Sequence, residues 1–243
     1  MKIIGDYHTH TVYSHGKGTI EDNLKAAINM ELHYIGISDH GPNHVLYGLK
    51  REKYSTMRRE VDLLNKKYNY YGTKLLLGVE ANVIGFDGTI DVTDEDRVYL
   101  DYILLGYHYL IKMCTIEDYY LWFVRNQIDQ SFYCSKKFKD ITTKALIKAM
   151  ERYPILAITH PGAKVNIDID ELAKAAKINN VALEINEKNH ELSIEGLSKL
   201  ADTDNLFLLS SDAHRSIDVG QVSNAINRVE IAGIDPVRIM NFR

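Results

Sequence analysis

The segment Lys2-Ile-Ile-Gly-Asp-Tyr-His8-Thr-His10 starts as an apolar run and ends in two histidines. Successive side chains of an extended chain alternate between faces, so His8 and His10 would project the same way and could bind one ion. The same spacing returns near the other end of the chain, where Asp212 and His214 follow another apolar run. Imidazole and carboxylate groups are ligands that borderline divalent metals prefer. These segments predict a metal site built at the ends of strands.

Seven such apolar runs are spaced along the chain, and metal-binding side chains follow most of them. Several are rich in Ile, Val and Leu, which is typical of strands covered on both faces. The predicted strands are Lys2–His8, Tyr34–Asp39, Lys74–Ala81, Tyr102–Gly106, Ile155–Thr159, Val181–Ile185 and Leu206–Ser210. The candidate metal ligands at or after their ends are His8, His10, His15, His40, Glu80, His108, His160, Asp212 and His214.

Helical patterns separate the runs, which predicts right-handed βαβ crossovers and a parallel sheet. The ligands follow strands one to five and strand seven, and they can converge only if the strands form a ring. A closed but irregular barrel is therefore favoured over an open sheet. The predicted helices are Thr19–Met30, Lys53–Lys67, Ile116–Gln130, Thr142–Arg152, Asp168–Lys177, Ser193–Leu200 and Val219–Ile231, and the loops predicted to cover the mouth are Gly41–Lys53 and Phe86–Asp96.

Composition narrows the class of protein. The chain has 243 residues and a net charge of −4, which argues against nucleic acid as a partner, because general phosphate-backbone binders are usually basic. Cys114 and Cys134 have no redox or metal-ligand spacing, which favours a reducing compartment. No apolar run approaches the length of a membrane span. We therefore expect a cytoplasmic protein without membrane association; the oligomeric state stays open.

The ordered motifs resemble the PHP (polymerase and histidinol phosphatase) family, in particular its single-domain bacterial phosphatases. The segments that carry this resemblance are His8-Thr-His10 with His15, Ser38-Asp39-His40, Gly78-Val-Glu80-Ala-Asn82, Gly106-Tyr-His108, Thr159-His160-Pro161-Gly162 and Ser211-Asp212-Ala-His214. The resemblance implies an α/β fold: a distorted, TIM-like (β/α)7 barrel, as a single domain over residues 1–243. It also implies three divalent ions, of zinc, manganese or iron. By motif, the three sets of ligands would be His8, His10, Glu80 and Asp212; Glu80, His108 and His160; and His15, His40 and His214.

The predicted activity is that of a metal-dependent hydrolase, a phosphatase that cleaves a small phosphomonoester with a metal-activated hydroxide. No Gly-x-Ser-x-Gly elbow or phosphatase cysteine loop is present, so no protein nucleophile is expected. Glu80, Asp212 and His214 are the predicted catalytic residues. The candidate substrate contacts are Arg215 and Lys17 for phosphate, Asn186 at the end of strand six, and His44 for the substrate or a leaving-group proton.

Other interpretations remain open. A phosphodiesterase or 3′-exonuclease of the same family is one alternative, although the acidic pI counts against it. Histidinol phosphatase is a narrower form of the main prediction. A non-catalytic, metal-binding regulatory protein is the alternative from another class, and the complete ligand set counts against it. For single residues, Asp39 either orients a ligand histidine or supports the barrel wall, and Glu184 is expected to be a buried structural carboxylate.

Overall fold

The computed structural model describes residues 2–131 and 135–243, and within those ranges seven parallel strands form one sheet in chain order. Every predicted strand is present, and the fold is the predicted distorted (β/α)7 barrel. The strands are β1 Gly5–Asp6, β2 Tyr34–Ile37, β3 Lys74–Asn82, β4 Tyr102–Gly106, β5 Ile155–Ile158, β6 Ala182–Asn186 and β7 Phe207–Ser210. That residues 1–243 form a single domain stays a prediction, and Cys134 lies outside the described residues.

Helices connect the strands, and capping side chains set several of their starts. Thr19 and Asp22 form a reciprocal capping box at the first helix, whose start at Thr19 the sequence predicts. The helices are α1 Ile20–Asn29, α2 Tyr54–Lys67, α3 Asp94–Arg97, α4 Ile116–Tyr119, α5 Asn126–Ser131, α6 Lys136–Arg152, α7 Ile169–Asn179, α8 Ile194–Leu200 and α9 Ser223–Ala232.

Three helical predictions differ from the structure. The helix expected from Thr142 begins at Lys136, because the Ser135 side chain accepts a hydrogen bond from the Phe138 amide and caps it. The helix expected from Val219 begins at Ser223. The predicted helix Ile116–Gln130 is not regular, since π-helical residues Tyr120–Arg125 separate α4 from α5.

The barrel closes between its first and last strands in two places. Near the mouth, the His10 amide donates to the Ala213 carbonyl at 2.8 Å, and the Ala213 amide donates to the His8 carbonyl at 3.2 Å. Deeper in the seam, Asn241 lies between the strands: its amide donates to the carbonyls of Gly5 and Leu209, each at 2.7 Å. The C-terminal segment therefore fills the gap that two short strands leave.

The interior floor of the barrel is built around one tyrosine. Tyr102 is buried, and its hydroxyl donates to the Tyr7 carbonyl at 2.7 Å. Its ring lies against the backbone of β2 and β3, where a Cβ at Gly78 would stand 2.3 Å from the ring and one at Gly36 2.1 Å from the hydroxyl. These glycines give the ring the space it needs, so the polar centre described below rests on a filled core.

No helix among the described residues is both long and apolar enough to cross a membrane.

Candidate metal centre

All nine predicted metal ligands converge at the carboxyl end of the barrel. Eight of the nine contribute donor atoms to three overlapping groups, and within each group these atoms lie within 4.8 Å of one another; the ninth, His160, contacts Glu80 directly. The groups are His8, His10 and Asp212; His40, Glu80 and His108; and His10, His15, His40 and His214. These groups only partly follow the sets that the motif resemblance implied, because His10 and His40 each belong to two of them.

Glu80 is the centre of this arrangement. It is fully buried at the end of β3, and its Oε1 lies 2.9 Å from His160 Nε2 and 3.1 Å from His108 Nε2. Its Oε2 lies 2.9 Å from His40 Nδ1. Burial by itself raises the pKa of Glu80, but the surrounding histidines outweigh it and hold that pKa well below the usual range. An ionised, buried carboxylate is thus held where several imidazoles meet.

The buried donor atoms of this cluster fit divalent cations. Buried polar atoms normally have hydrogen-bond partners, and leaving one without a partner costs about 1–3 kcal/mol. Several atoms here make no hydrogen bond of normal geometry with the described residues, although His40 Nδ1 and His108 Nε2 lie close to Glu80. Nitrogen predominates among these atoms, as suits zinc, manganese or iron. These atoms are His8 Nε2, His10 Nδ1 and Nε2, His15 Nδ1, His40 Nδ1, His108 Nε2 and Glu80 Oε2.

Glu184 on β6 orients two of the ligands. Its Oε1 lies 2.5 Å from His8 Nδ1, and its Oε2 accepts from the His160 backbone amide at 2.5 Å. Because Nδ1 of His8 faces the carboxylate, the Nε2 lone pair is directed into the cluster. Burial raises the pKa of Glu184, but His8, His160 and Ser210 together outweigh it and lower that pKa overall. The sequence predicts only a structural role for Glu184; its two-residue spacing from Asn186 places both residues on one face but does not identify the partner of Glu184.

Asn82 and Asp91 orient His108 in a similar way, and the sequence did not predict these contacts. His108 Nδ1 lies 2.7 Å from Asn82 Oδ1, while Asn82 Nδ2 donates to Asp91 Oδ2 at 2.6 Å. The donation to Asp91 sets the orientation of the amide, so its oxygen accepts from His108 and leaves His108 Nε2 facing Glu80. Asp91 belongs to the Phe86–Asp96 loop, which the sequence predicts to cover the mouth, and it supports a candidate ligand through Asn82.

Two predicted ligands have unusual backbone geometry. Asp212 has φ 50° and His160 has φ 27°, in the left-handed region that is uncommon for residues with a Cβ. Such conformations cost about 1–3 kcal/mol and concentrate at functional sites. At Asp212 the turn directs its carbonyl to His214 Nδ1, 2.8 Å away, so Nε2 of that histidine remains free to bind a ligand.

Asp39 supports a loop and contacts no ligand ring by hydrogen bond. Its carboxylate accepts from the Thr11 amide at 2.7 Å, from the Thr11 hydroxyl at 2.6 Å and from the Ser14 hydroxyl at 2.5 Å. These bonds shape the turn that presents His15. The sequence left two roles open for Asp39, and its contacts correspond to support of the wall.

The four candidate substrate contacts lie in different environments. Arg215 is exposed and forms a bidentate ion pair with Asp218, in which Nε donates to Oδ2 at 3.0 Å and Nη2 donates to Oδ1 at 2.8 Å. Lys17 is exposed, and its backbone amide donates to the His214 carbonyl at 2.8 Å. The Asn186 amide is buried and donates to Glu184 at 3.1 Å, so it serves the carboxylates around the ligands.

His44 lies beside the cluster. Its ring stacks on that of His40 at 5.2 Å, and its Nδ1 accepts from the Tyr47 amide at 3.2 Å. Burial, together with the neighbouring His40, lowers the pKa of His44 to about 4. A neutral ring at pH 7 suits a hydrogen-bond contact better than a proton donor.

Comparisons with known proteins agree with this geometry. Residues 6–188 match the PHP domain model. "Probable phosphatases" from Shewanella sediminis and Acetivibrio thermocellus are 29% and 26% identical to this chain; each comparison covers 99% of it, and 90% and 92% of the relative. The fold is similar to the crystal structure of histidinol phosphate phosphatase from Lactococcus lactis complexed with zinc, L-histidinol and phosphate. That comparison has a TM-score of 0.56 and 16% identity, over 97% of this chain and 95% of the other. Asp212 and His214 lie beyond the matched domain, so their assignment rests on the geometry above.

Proposed function

Because this chain belongs to the PHP domain family, we propose that it is a metal-dependent phosphomonoesterase that acts on a small phosphorylated metabolite at a centre of three divalent ions. The observation that carries the proposal is the convergence of nine candidate ligands, Glu80 among them, with several buried donor atoms that make no hydrogen bond of normal geometry with the described residues. The names of the relatives support the same reaction class.

The three ions would share ligands. In this proposal Glu80 would serve as a ligand of two of them, one held also by His8, His10 and Asp212 and the other by His108 and His160, while His15, His40 and His214 would hold the third. Ions at these positions would neutralise phosphate charge and make a bound water more acidic. The overlap of the three groups of donor atoms supports a shared cluster over separate sites.

Side chains of the protein would hold the ligand histidines and orient them towards the centre. Glu184 and Asn82 fix the tautomers of His8 and His108, so their free nitrogens face the centre. We propose that Lys17 and Arg215 contact phosphate oxygens at the mouth, with Arg215 leaving Asp218 to do so. Asn186 and His44 would border the substrate. Glu80, Asp212 and His214 carry the catalytic roles, because they hold the reacting centre together.

The test is phosphate release from a generic phosphomonoester by protein reconstituted with manganese or zinc. We expect activity in the wild type and its loss to background in Glu80→Ala and Asp212→Ala, each of which removes a central carboxylate. Asp202→Asn, at an exposed position, is the control and should behave as the wild type. Wild-type-like activity in either site variant would refute the assignment of the site.

The same reconstituted protein separates the alternatives. Release of mononucleotides from single-stranded DNA, with weak monoester turnover, would favour the exonuclease. Turnover of histidinol phosphate far above that of other monoesters would identify a histidinol phosphatase. Tightly bound metal without turnover of any ester would favour a regulatory protein.

A further inference from the structure

Four nearly parallel rings line one side of the candidate centre, and two of them belong to proposed ligands. His15 stacks on His40 at 4.8 Å and 11°, and the ring of Tyr47 stacks on His15 at 4.5 Å and 22°. His44 completes the set, 5.1 Å from Tyr47. Tyr47 is nevertheless 42% exposed. One face of its ring therefore packs on the centre while part of it remains open to a ligand.

Backbone hydrogen bonds hold the loop that carries Tyr47 in a tight turn. The Gly48 amide donates to the His44 carbonyl at 2.9 Å, and the Leu49 amide donates to the His40 carbonyl at 2.9 Å. A Cβ at Gly48 would stand 2.5 Å from the His44 carbonyl, so the turn closes tightly there. The Val45 amide also donates to the Leu110 carbonyl at 2.8 Å, which ties this turn to the loop after β4. The position of Tyr47 is thus fixed relative to the ligands.

A cavity of about 300 Å³ lies between this loop and the turn before His15. Its apolar lining includes Tyr47, Leu46 and Val12, and the last two are 61% and 57% exposed. Apolar groups this exposed beside a buried polar centre are typical of a binding surface. The volume suits one aromatic ring with a short substituent.

The same cavity carries positive charge. Lys50 and Lys53 line it, and the Lys53 amide donates to the Lys50 carbonyl at 2.8 Å, so the two residues lie on one turn. Neither ammonium has a carboxylate partner within the part of the chain that the structure describes. Arg51, which lies between them in sequence, is by contrast paired with Asp96. The two lysines therefore favour a negatively charged occupant in a chain that is acidic overall.

We propose that this cavity is the leaving-group subsite, and that the substrate is a phosphomonoester whose alcohol portion is an aromatic ring bearing an additional negative charge. This inference rests on the proposed function and deepens it. The substrate ring packs against Tyr47, and its phosphate lies at the candidate centre beside His15. The extra anion lies near Lys50 and Lys53. Substrates with a cationic alcohol portion, such as histidinol phosphate, are disfavoured by the same two lysines.

The test compares two aryl phosphates of opposite side-chain charge, 4-(carboxymethyl)phenyl phosphate and 4-(2-aminoethyl)phenyl phosphate. One methylene separates the carboxylate from its ring and two separate the ammonium from its ring, so the leaving groups are similar in acidity. We expect kcat/KM to favour the anionic substrate about tenfold, the order that two exposed charges can supply. Glycerol 2-phosphate, which has no ring, should be turned over less efficiently than both.

Two sets of variants test which residues cause the substrate preference. The double variant Lys50→Gln and Lys53→Gln should bring the ratio of anionic to cationic substrate close to one, while Lys66→Gln, on an exposed part of α2, leaves it unchanged. Tyr47→Ala should lower the ratio of aryl to glycerol phosphate turnover about three- to tenfold, because a stacked ring is lost. Tyr70→Ala, at a 73% exposed ring, is its control. Each readout is a ratio, so a general loss of metal does not imitate it.

Failure of this inference is distinguishable from failure of the proposed function. Absence of turnover with every monoester rejects the proposed function. The subsite is still decided in that case by the dissociation constants of the matched benzylphosphonates, carboxymethyl against aminoethyl, on metal-loaded protein. An equal preference for the two charges, or a preference that survives the double lysine variant, overturns the subsite.

Discussion

Glu184→Gln tests whether the orienting carboxylate controls metal affinity. The carboxylate accepts hydrogen bonds from His8, His160, Ser210 and Asn186, at 2.5, 2.5, 2.5 and 3.1 Å, all in the buried interior. Glutamine keeps the shape and one oxygen, but it removes the charge and turns an NH₂ group towards a donor. A hydrogen bond to a charged group contributes about 1.5–3 kcal/mol, and loss of such a partner typically lowers metal affinity about 10- to 100-fold.

The assay is competition for zinc or manganese with a chromophoric chelator, followed by kinetics at saturating metal. We expect the dissociation constant of the variant to rise at least tenfold, while much of kcat returns once metal is in excess. Glu195→Gln is the matched control, because its side chain is 82% exposed and contacts Lys199 only as a surface pair. A dissociation constant within about twofold of the wild type would refute the reasoning, because His8 would then need no partner to present Nε2.

Three further predictions concern stability. Asn241→Leu removes the side chain that joins β1 to β7 and should cost about 2–5 kcal/mol in urea unfolding; a change well below that range would contradict its role in closure. Gly78→Ala should destabilise by about 1–3 kcal/mol, because the new Cβ would meet the Tyr102 ring, and Tyr102→Leu in the same chain should recover part of that loss. Manganese or zinc at about 100 times its dissociation constant should stabilise the fold by about 2.7 kcal/mol relative to chelator-treated protein, and an unchanged melting temperature would contradict a metal centre in the folded state.

The fold could be predicted from the sequence because its signals are local. Each strand is a short apolar run, and the ligand that follows it lies at the same edge of a parallel sheet as the others. The bounds of β4 agree with the structure, and Thr19 marks the start of α1. The interruption of the predicted helix from Ile116 was missed, since ordinary amphipathic spacing does not distinguish π-helical from α-helical turns.

The partners of the ligands could not be predicted, because they depend on contacts between distant segments. Glu184 meets His8 across 176 positions, and Asn241 meets Gly5 across 236. No periodicity links such pairs in a single sequence. The relay from Asp91 through Asn82 likewise depends on a hairpin formed after β3, although an Asn two residues after a candidate ligand was visible as a signal.

The seam at Ala213 has a consequence for how the protein matures. His8 and His10 are made early in synthesis, but the carboxylate of Asp212 reaches them only when the last strand docks beside the first. During translation His8 and His10 therefore precede Asp212 by about 200 residues, and a chain stopped before β7 would lack a complete set of candidate ligands. We therefore expect metal binding and closure of the barrel to be coupled, so amide hydrogen exchange at His10 and Ala213 should slow sharply when metal is added.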